Sequence, residues 1–264
     1  MKRREEEAEM LYGLHPVLDA VEGGRRTIDR ILVAREHGGR NLGRLLRAAR
    51  GAGIPVTYLP KPVLAQKAGR EASHQGVAAF VAPVAYAAPG DLVAAAVKGR
   101  RLLVALDGIE DPRNLGAIVR TAAAAGADGI LLGVDATVGL TATVAKAAAG
   151  ALDRLPVARE PKMGTRLVEL KARGFRVAAL DPRGTTAWTA AAFRGPLVIV
   201  AGGEGKGLRR GLLDAADERV ALPLSAGVES LNVSVAVGVV LYEVLRQRAN
   251  PEKSENAPPR LERP

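Results

Sequence analysis

The feature that most constrains the fold is a series of short, continuous apolar segments that alternate with helical segments in residues 99–249. Strands that lack alternating polar positions are buried on both faces, and intervening helices provide the crossovers of a parallel sheet. This part of the chain is therefore predicted to be an α/β domain with a mostly parallel sheet. The predicted strands are residues 101–106, 129–132, 176–180, 197–201 and 219–222, and the predicted helices are residues 114–125, 142–151, 165–172 and 231–246.

Residues 1–83 contain a second, shorter alternation of strands and helices, which predicts a small N-terminal α/β domain. Residues 84–98 begin in a stretch rich in Ala and Pro and are predicted to be a linker. Residues 250–264 are polar and contain proline, so we predict a disordered tail. The chain is thus expected to have two domains.

The composition favours a polyanionic partner. The net charge is +10, and Lys and Arg side chains near phosphates release condensed counterions. Aromatic residues make up only 3% of the chain, which disfavours binding by base stacking and favours recognition of shape, phosphates and 2′-hydroxyls. A solvated basic surface without a partner is the alternative interpretation.

Other classes of protein are disfavoured by the same sequence. There is no Cys, and the three His are far apart in the chain, so we predict no metal site. The N-terminus lacks the apolar run of a signal peptide, and residues 231–242 are too few to cross a bilayer. We therefore expect a cytoplasmic protein with no membrane partner.

Three segments of the larger predicted domain could carry chemistry. The first, residues 111–120, places Asn114 and Arg120 in the early turns of a predicted helix. Asn114 is either the helix cap or a site residue. Arg120 is the only charge between Arg113 and Asp128, and it either extends to water or binds an anion.

The second segment, residues 198–208, runs from a strand into a glycine-rich loop, where the backbone can approach a ligand closely. A phosphate loop requires Ser or Thr after Gly-Lys, but Gly207 follows Lys206. A structural tight turn is the alternative. The third segment, residues 220–234, places Ser230, Asn232 and Ser234 at the start of the apolar last helix, where they either cap the helix or belong to a site.

Taken together, the three segments resemble the motifs of the SPOUT superfamily, in its TrmH-type branch of tRNA and rRNA ribose 2′-O-methyltransferases. The matching patterns are N-x-G-x-x-x-R at residues 114–120, G-G-E-G-x-G at residues 202–207, and L-P-L…E-S-L-N-V-S at residues 222–234. Residues 11–18 and 74–77 resemble the opening and closing signatures of the family's L30e-like RNA-binding domain. The bacterial enzymes that methylate a guanosine ribose in large-subunit rRNA are the subgroup most similar to this chain.

The resemblance implies an α/β fold with a deep trefoil knot, a homodimer, and S-adenosylmethionine as the methyl donor without a metal. The donor would be bound by Gly202, Gly203, Gly205, Gly207, Leu222, Pro223, Leu224, Leu231 and Asn232. The catalytic residues would be Asn114, Arg120, Glu204, Ser230, Asn232 and Ser234. Residues available for RNA phosphates would be Arg25, Arg26, Lys61, Arg70 and Arg113, with ordinary surface charge as the alternative for each.

The implied reaction is attack of a ribose 2′-oxygen on an activated methyl group, so the protein must align the reactants and accommodate one proton. We favour Arg120 as a clamp on phosphate over Arg120 as a base, because a guanidinium is almost never deprotonated in proteins. Asn114 would orient Arg120 or the ribose, and Glu204 would hold Arg120 or Asn232. The alternatives are a tRNA substrate, an antibiotic-resistance enzyme acting on rRNA, and an RNA-binding protein without catalysis.

Overall fold

The computed structural model describes residues 9–23, 27–36, 38, 40–68, 74–82, 84–203, 205, 207–225 and 227–249. The described chain divides into two compact units. The first comprises the residues up to Ala85 together with Ala149–Arg154, and the second comprises Tyr86–Ala148 and the residues from Leu155 onwards. The predicted site residues Arg25, Arg26, Arg70 and Glu204 and the predicted tail 250–264 lie outside the described residues.

The first unit contains a four-stranded sheet in the order β1-β4-β2-β3, in which only β2 and β3 pair in parallel. Its strands are β1 (Glu9–Tyr12), β2 (Ile28–Ala34), β3 (Val56–Leu59) and β4 (Val77–Val81). Its helices are α1 (Leu14–Gly23), α2 (Arg40–Gly51) and α3 (Lys61–Ala68).

Helices cover both faces of this sheet, as the alternation along β2 shows. Ile31 and Val33 pack in the core formed with α1 and α2, whereas Leu32 packs with Leu64 of α3 in a smaller cluster. Successive side chains of a strand point to opposite faces, so an uninterrupted apolar strand needs a cover on each side. The small α/β domain expected in this part of the chain is therefore present.

The second unit contains a seven-stranded sheet in the order β7-β6-β5-β10-β8-β11-β9, and every pairing in it is parallel. Its strands are β5 (Leu102–Asp107), β6 (Gly129–Gly133), β7 (Val157–Glu160), β8 (Arg176–Leu180), β9 (Thr186–Ala187), β10 (Leu197–Gly202) and β11 (Glu218–Ala221). Its helices are α4 (Pro89–Lys98), α5 (Pro112–Ala124), α6 (Ala142–Ala148), α7 (Met163–Ala172), α8 (Arg210–Ala215) and α9 (Val233–Ala249). The prediction of an α/β fold with a mostly parallel sheet is confirmed, and the trefoil knot stays a prediction.

The strand order reverses next to β10, which pairs with β5 on one side and with β8 on the other. In open parallel sheets, ligand sites form outside the carboxyl ends of the strands at such a switch point. β5 ends at Asp107 and β10 ends at Gly202, and these two residues are paired in register. The topology therefore predicts a ligand site at the loops that follow β5 and β10.

Two sequence predictions need correction. Most of the predicted linker, residues 84–98, is helix α4, because Leu92, Val93 and Ala96 have helical spacing and are buried in the core of the second unit. Asn114 is not the cap of α5: the side chain of Asp111 accepts a hydrogen bond from the Arg113 amide, and Pro112 occupies the first turn. Within the described ranges, every helix is too short or too polar to span a bilayer.

Candidate active site

The glycine-rich loop after β10 lies against the end of β5. The Gly203 amide donates to the Asp107 carbonyl oxygen at 2.9 Å, and the Gly207 amide donates to the Gly203 carbonyl oxygen at 3.0 Å. A Cβ atom at Gly203 would overlap the carbonyl group of Gly108, and one at Gly202 would overlap Gly207. Glycine is therefore required at residues 202 and 203 because two backbone segments approach each other there.

Arg209, which directly precedes α8, fixes the other end of this loop to the sheet. Its guanidinium donates to both carboxylate oxygens of Asp107, at 2.7 and 2.8 Å, and to Asp135 at 2.9 Å. Arg209 donates hydrogen bonds first to Asp107 and then to Asp135, and these bonds, aided by the charges of the two carboxylates, raise the pKa of Arg209. The loop is thus held at Gly203 by a backbone bond and at Arg209 by charge-assisted bonds.

A cavity of about 360 Å³ lies within the second unit between this loop, the residues that follow β8, and the segment that leads into α9. The predicted donor-binding residues that line it are Gly202, Gly203, Gly205, Gly207, Leu222, Leu224 and Leu231. Ser230, predicted as a catalytic residue, also lines the cavity. Pro223 and Asn232 do not line the cavity, although each lies between two residues that do.

The first and third motifs meet at a pair of asparagines. Asn232 donates from Nδ2 to Oδ1 of Asn114 at 2.9 Å, and Asn114 is almost fully buried on α5. The Oδ1 atom of Asn232 accepts from the amide and the hydroxyl of Ser234, at 2.8 and 2.6 Å. Asn232 therefore caps α9 and also connects the two motifs. The capping interpretation is confirmed for this residue, and its role in the site stays a prediction.

The remaining predicted residues lie apart from the cavity lining. Arg120 is exposed on α5 and makes no side-chain hydrogen bond or ion pair with the described residues. Arg113 is also exposed and lies seven residues earlier, so the two guanidinium groups project from the same side of the helix. Lys61 is exposed at the start of α3 in the first unit.

Sequence analysis missed several charged residues of this region. Asp181 and Arg183 line the cavity after β8, and Glu229 lines it before α9. The side chain of Asp181 is only 9% exposed, and its Oδ1 accepts from the Arg183 amide at 2.9 Å. Asp107 and Asp181 each directly follow a predicted strand. Their positions at the carboxyl edge of a parallel sheet could therefore have identified them as candidates from the sequence.

Comparison with protein families gives two matches that together span most of the chain. A family model described as the SpoU rRNA Methylase family matches residues 101–242. A model described as RNA 2′-O ribose methyltransferase substrate binding matches residues 10–87. An uncharacterized tRNA/rRNA methyltransferase of Mycobacterium avium (strain 104) is 41% identical over 247 residues, which are 93% of this chain and 80% of the relative.

Solved structures show a similar fold at lower identity. An AdoMet-bound rRNA methyltransferase from Sinorhizobium meliloti is 27% identical, with a TM-score of 0.74 and a match that covers 93% of this chain and 89% of that chain. A TrmH/SpoU tRNA modifying enzyme from A. aeolicus is 26% identical, with a TM-score of 0.53 and a match that covers 64% of this chain and 86% of that chain.

Proposed function

The chain belongs to the SpoU rRNA methylase family and is an S-adenosylmethionine-dependent RNA ribose 2′-O-methyltransferase, and we propose that it methylates a guanosine ribose in large-subunit ribosomal RNA. The observation that carries the site assignment is the hydrogen bond between Asn114 and Asn232. It connects the first motif to the third, immediately beside Leu231 and Val233 of the cavity lining. We assign methyl transfer to the second unit and RNA binding to the first.

The residues of the cavity fit the methyl donor. A volume of about 360 Å³ is in the range of small-molecule sites. A Cβ atom at Gly205 or Gly207 would meet no atom of the described residues within 4 Å, so the backbone leaves open space on the lining. When bound, S-adenosylmethionine supplies a methyl group on a sulfonium, which is already activated for transfer. We propose that it is bound by Gly202, Gly203, Gly205, Gly207, Leu222, Leu224 and Leu231. Pro223 and Asn232 would set the backbone path of the lining segments, because each lies between two lining residues.

Asn114, Arg120 and Ser230 would form the acceptor side of the site. Asn114 is held by Asn232, so its amide has a fixed orientation from which it can position the ribose. Arg120 is exposed and has no partner among the described residues, which leaves its guanidinium available to clamp an RNA phosphate. A phosphate oxygen or water then accepts the hydroxyl proton, because the guanidinium stays protonated. Ser234 supports Asn232, and we retain Glu204 as a positioning residue.

Ribosomal RNA is favoured over tRNA by how far the matches extend, and the choice of the large subunit rests on the motif resemblance alone. The rRNA methyltransferase from S. meliloti matches 93% of this chain, whereas the tRNA modifying enzyme from A. aeolicus leaves more than a third of it unmatched. A separate substrate-binding match covers residues 10–87, which lie mostly in the first unit. Lys61 and Arg113 are exposed and can contact phosphates. A cytoplasmic location stays a prediction.

We also propose that the protein is a homodimer. Val235 and Tyr242 of α9 are 51% and 56% exposed, and they lie seven residues apart on one side of the helix. Leu231, just before α9, is also exposed. A second copy would remove these apolar side chains from water. Sedimentation should give a dimer that Tyr242→Glu converts to monomers, whereas the matched variant Val168→Glu, on the exposed side of α7, should stay dimeric. A wild-type monomer would contradict the proposal.

The function is tested by transfer of radiolabelled methyl groups from S-adenosylmethionine into unmodified rRNA and unmodified tRNA, followed by nuclease digestion to separate ribose label from base label. Label on a guanosine ribose of large-subunit rRNA is the expected result. Ribose label in tRNA alone would overturn the substrate, and label in neither RNA would overturn the activity. Arg120→Ala should abolish turnover while binding of S-adenosylmethionine, measured by calorimetry, is unchanged.

A further inference from the structure

Helix α2 of the first unit has an unusually one-sided composition. Residues 40–51 contain four Arg and no Asp or Glu. Leu42, Leu45 and Ala49 are buried in the core of the unit, which fixes the orientation of the helix. Arg44, Arg47 and Arg50 are consequently exposed on the opposite side. Each is three residues from the next, so they follow one another at steps of about 4.5 Å along the helix axis.

Among the residues of this unit that the structure describes, a carboxylate partner is present only for the first of these three arginines. Arg44 donates to both carboxylate oxygens of Glu22 on α1, at 2.7 and 2.8 Å. Arg47 and Arg50 make no side-chain hydrogen bond or ion pair with the described residues. Like charges at this spacing destabilise a helix by about 0.2–0.5 kcal/mol per pair, and an anionic partner would remove that cost.

We propose that the arginine stripe formed by Arg44, Arg47 and Arg50 binds the phosphate backbone of the RNA substrate. The proposal rests on the proposed function and adds a surface that none of the predicted phosphate contacts includes. Within the stripe, the guanidinium groups of Arg47 and Arg50 can contact phosphates directly and set the position of the RNA, whereas Arg44 is engaged by Glu22 and adds only positive charge beside them. Contacts to phosphates carry no information about the RNA sequence. Sequence selection would therefore come from elsewhere in the protein.

The proposed phosphate contacts predict how the affinity for RNA depends on salt concentration. Each phosphate contact contributes about 0.7 to 0.9 to the slope of log affinity against log salt concentration. Removing Arg47 and Arg50 together should therefore lower the slope by about 1.4 to 1.8. The affinity should fall for every RNA that the protein binds, since the lost contacts are to the backbone.

The test compares the wild type with Arg47→Gln/Arg50→Gln by fluorescence titration of labelled, unmodified large-subunit rRNA and tRNA transcripts at several salt concentrations. The matched control is Lys162→Gln/Arg173→Gln, which removes two exposed charges that flank α7 in the second unit. The α2 variant should bind at least about tenfold more weakly than the control at 0.1 M salt and should have the lower slope. Arg47→Lys/Arg50→Lys should recover most of the affinity.

An α2 variant whose affinity and slope equal those of the control would overturn the stripe. Binding of S-adenosylmethionine, measured by calorimetry, should be unchanged in all variants, which confirms that the second unit is intact. Methyl transfer by the wild type reports on the proposed function, whereas the difference in slope reports on α2. The two proposals can therefore fail separately.

Discussion

Replacing Arg209 with alanine should destabilise the second unit and weaken donor binding together. The guanidinium of Arg209 makes bidentate hydrogen bonds to Asp107, whose side chain is only 4% exposed, and a third bond to the more exposed Asp135. Without Arg209, the carboxylate of Asp107 would remain buried with no charged partner among the described residues. Removal of one member of such a pair exposes the full desolvation cost of the other.

The magnitude is limited by solvent, because the side chain of Arg209 is itself 55% exposed. A hydrogen bond to a charged group contributes about 1.5–3 kcal/mol when it is shielded, and exposed pairs contribute less. We expect the free energy of unfolding to fall by about 2 kcal/mol in Arg209→Ala. In a protein of this size, that change lowers the Tm by roughly 4–8 °C.

Differential scanning calorimetry and titration with S-adenosylmethionine check the two parts of this prediction. Arg210→Ala is the matched control, because Arg210 is 95% exposed and its nearest carboxylate, on Asp214, is 3.8 Å away. The control should keep the wild-type Tm and the wild-type affinity for the donor. Equal losses of Tm in the two variants would refute the reasoning, because a nonspecific effect of losing one arginine would then explain both losses.

Four further substitutions test other parts of the structure. Gly203→Ala should lower the free energy of unfolding by about 1–3 kcal/mol, because the added Cβ atom would overlap a backbone carbonyl group. Gly205→Ala should keep the wild-type Tm, because its Cβ atom would meet no described atom, and should weaken only donor binding, measured by calorimetry. Burial disfavours ionisation of Glu243, but hydrogen bonds from Arg246 and Gln247 outweigh it and lower the pKa of Glu243. The stabilisation from the Glu243 carboxylate is present at neutral pH and is lost as the pH falls from the ordinary pKa of 4.5 towards the lower pKa of the folded state. The Tm of Glu243→Gln should therefore fall less in acid than the Tm of the wild type. Asp181→Ala should weaken donor binding at least about tenfold, because the nearly buried carboxylate lines the cavity, and unchanged affinity would contradict that role.

Five of the seven strands of the large sheet were predictable because their signals are local, whereas β7 and the two-residue β9 were missed. Residues 102–106 form an uninterrupted apolar run, and every one of them is buried in the structure. The start of α5 was harder to assign, because Asp111 and Asn114 are both residues that cap helices. Pro112 decides between them: proline favours the first turn, so the cap must precede it. In residues 84–98, the Ala and Pro content obscured the helical spacing of Leu92 and Ala96.

The contacts that form the site could not be predicted in the same way, because they join residues distant in the chain. Arg209 and Asp107 are 102 residues apart, and Asn232 and Asn114 are 118 apart. Periodicity and capping rules act over a few residues and contain no information about strand order. Motif resemblance brought Asn114 and Asn232 together, since it carries that long-range information, but it did not indicate Arg209.

Backbone and side chains have different tasks in the proposed site: the backbone shapes the cavity, and side chains form the acceptor side. The cavity is lined largely by glycines and leucines, so its shape depends on the path of the loops after β10 and β11. The proposed acceptor side depends on side chains at the starts of α5 and α9, which are joined through Asn114 and Asn232. Leu231 lines the cavity and is bonded covalently to Asn232, so the loop before α9 connects both sides of the proposed site. In the proposed site, cofactor binding and ribose positioning are therefore coupled through the peptide bond that joins Leu231 to Asn232, with the polar helix cap placed between the apolar lining residues Leu231 and Val233.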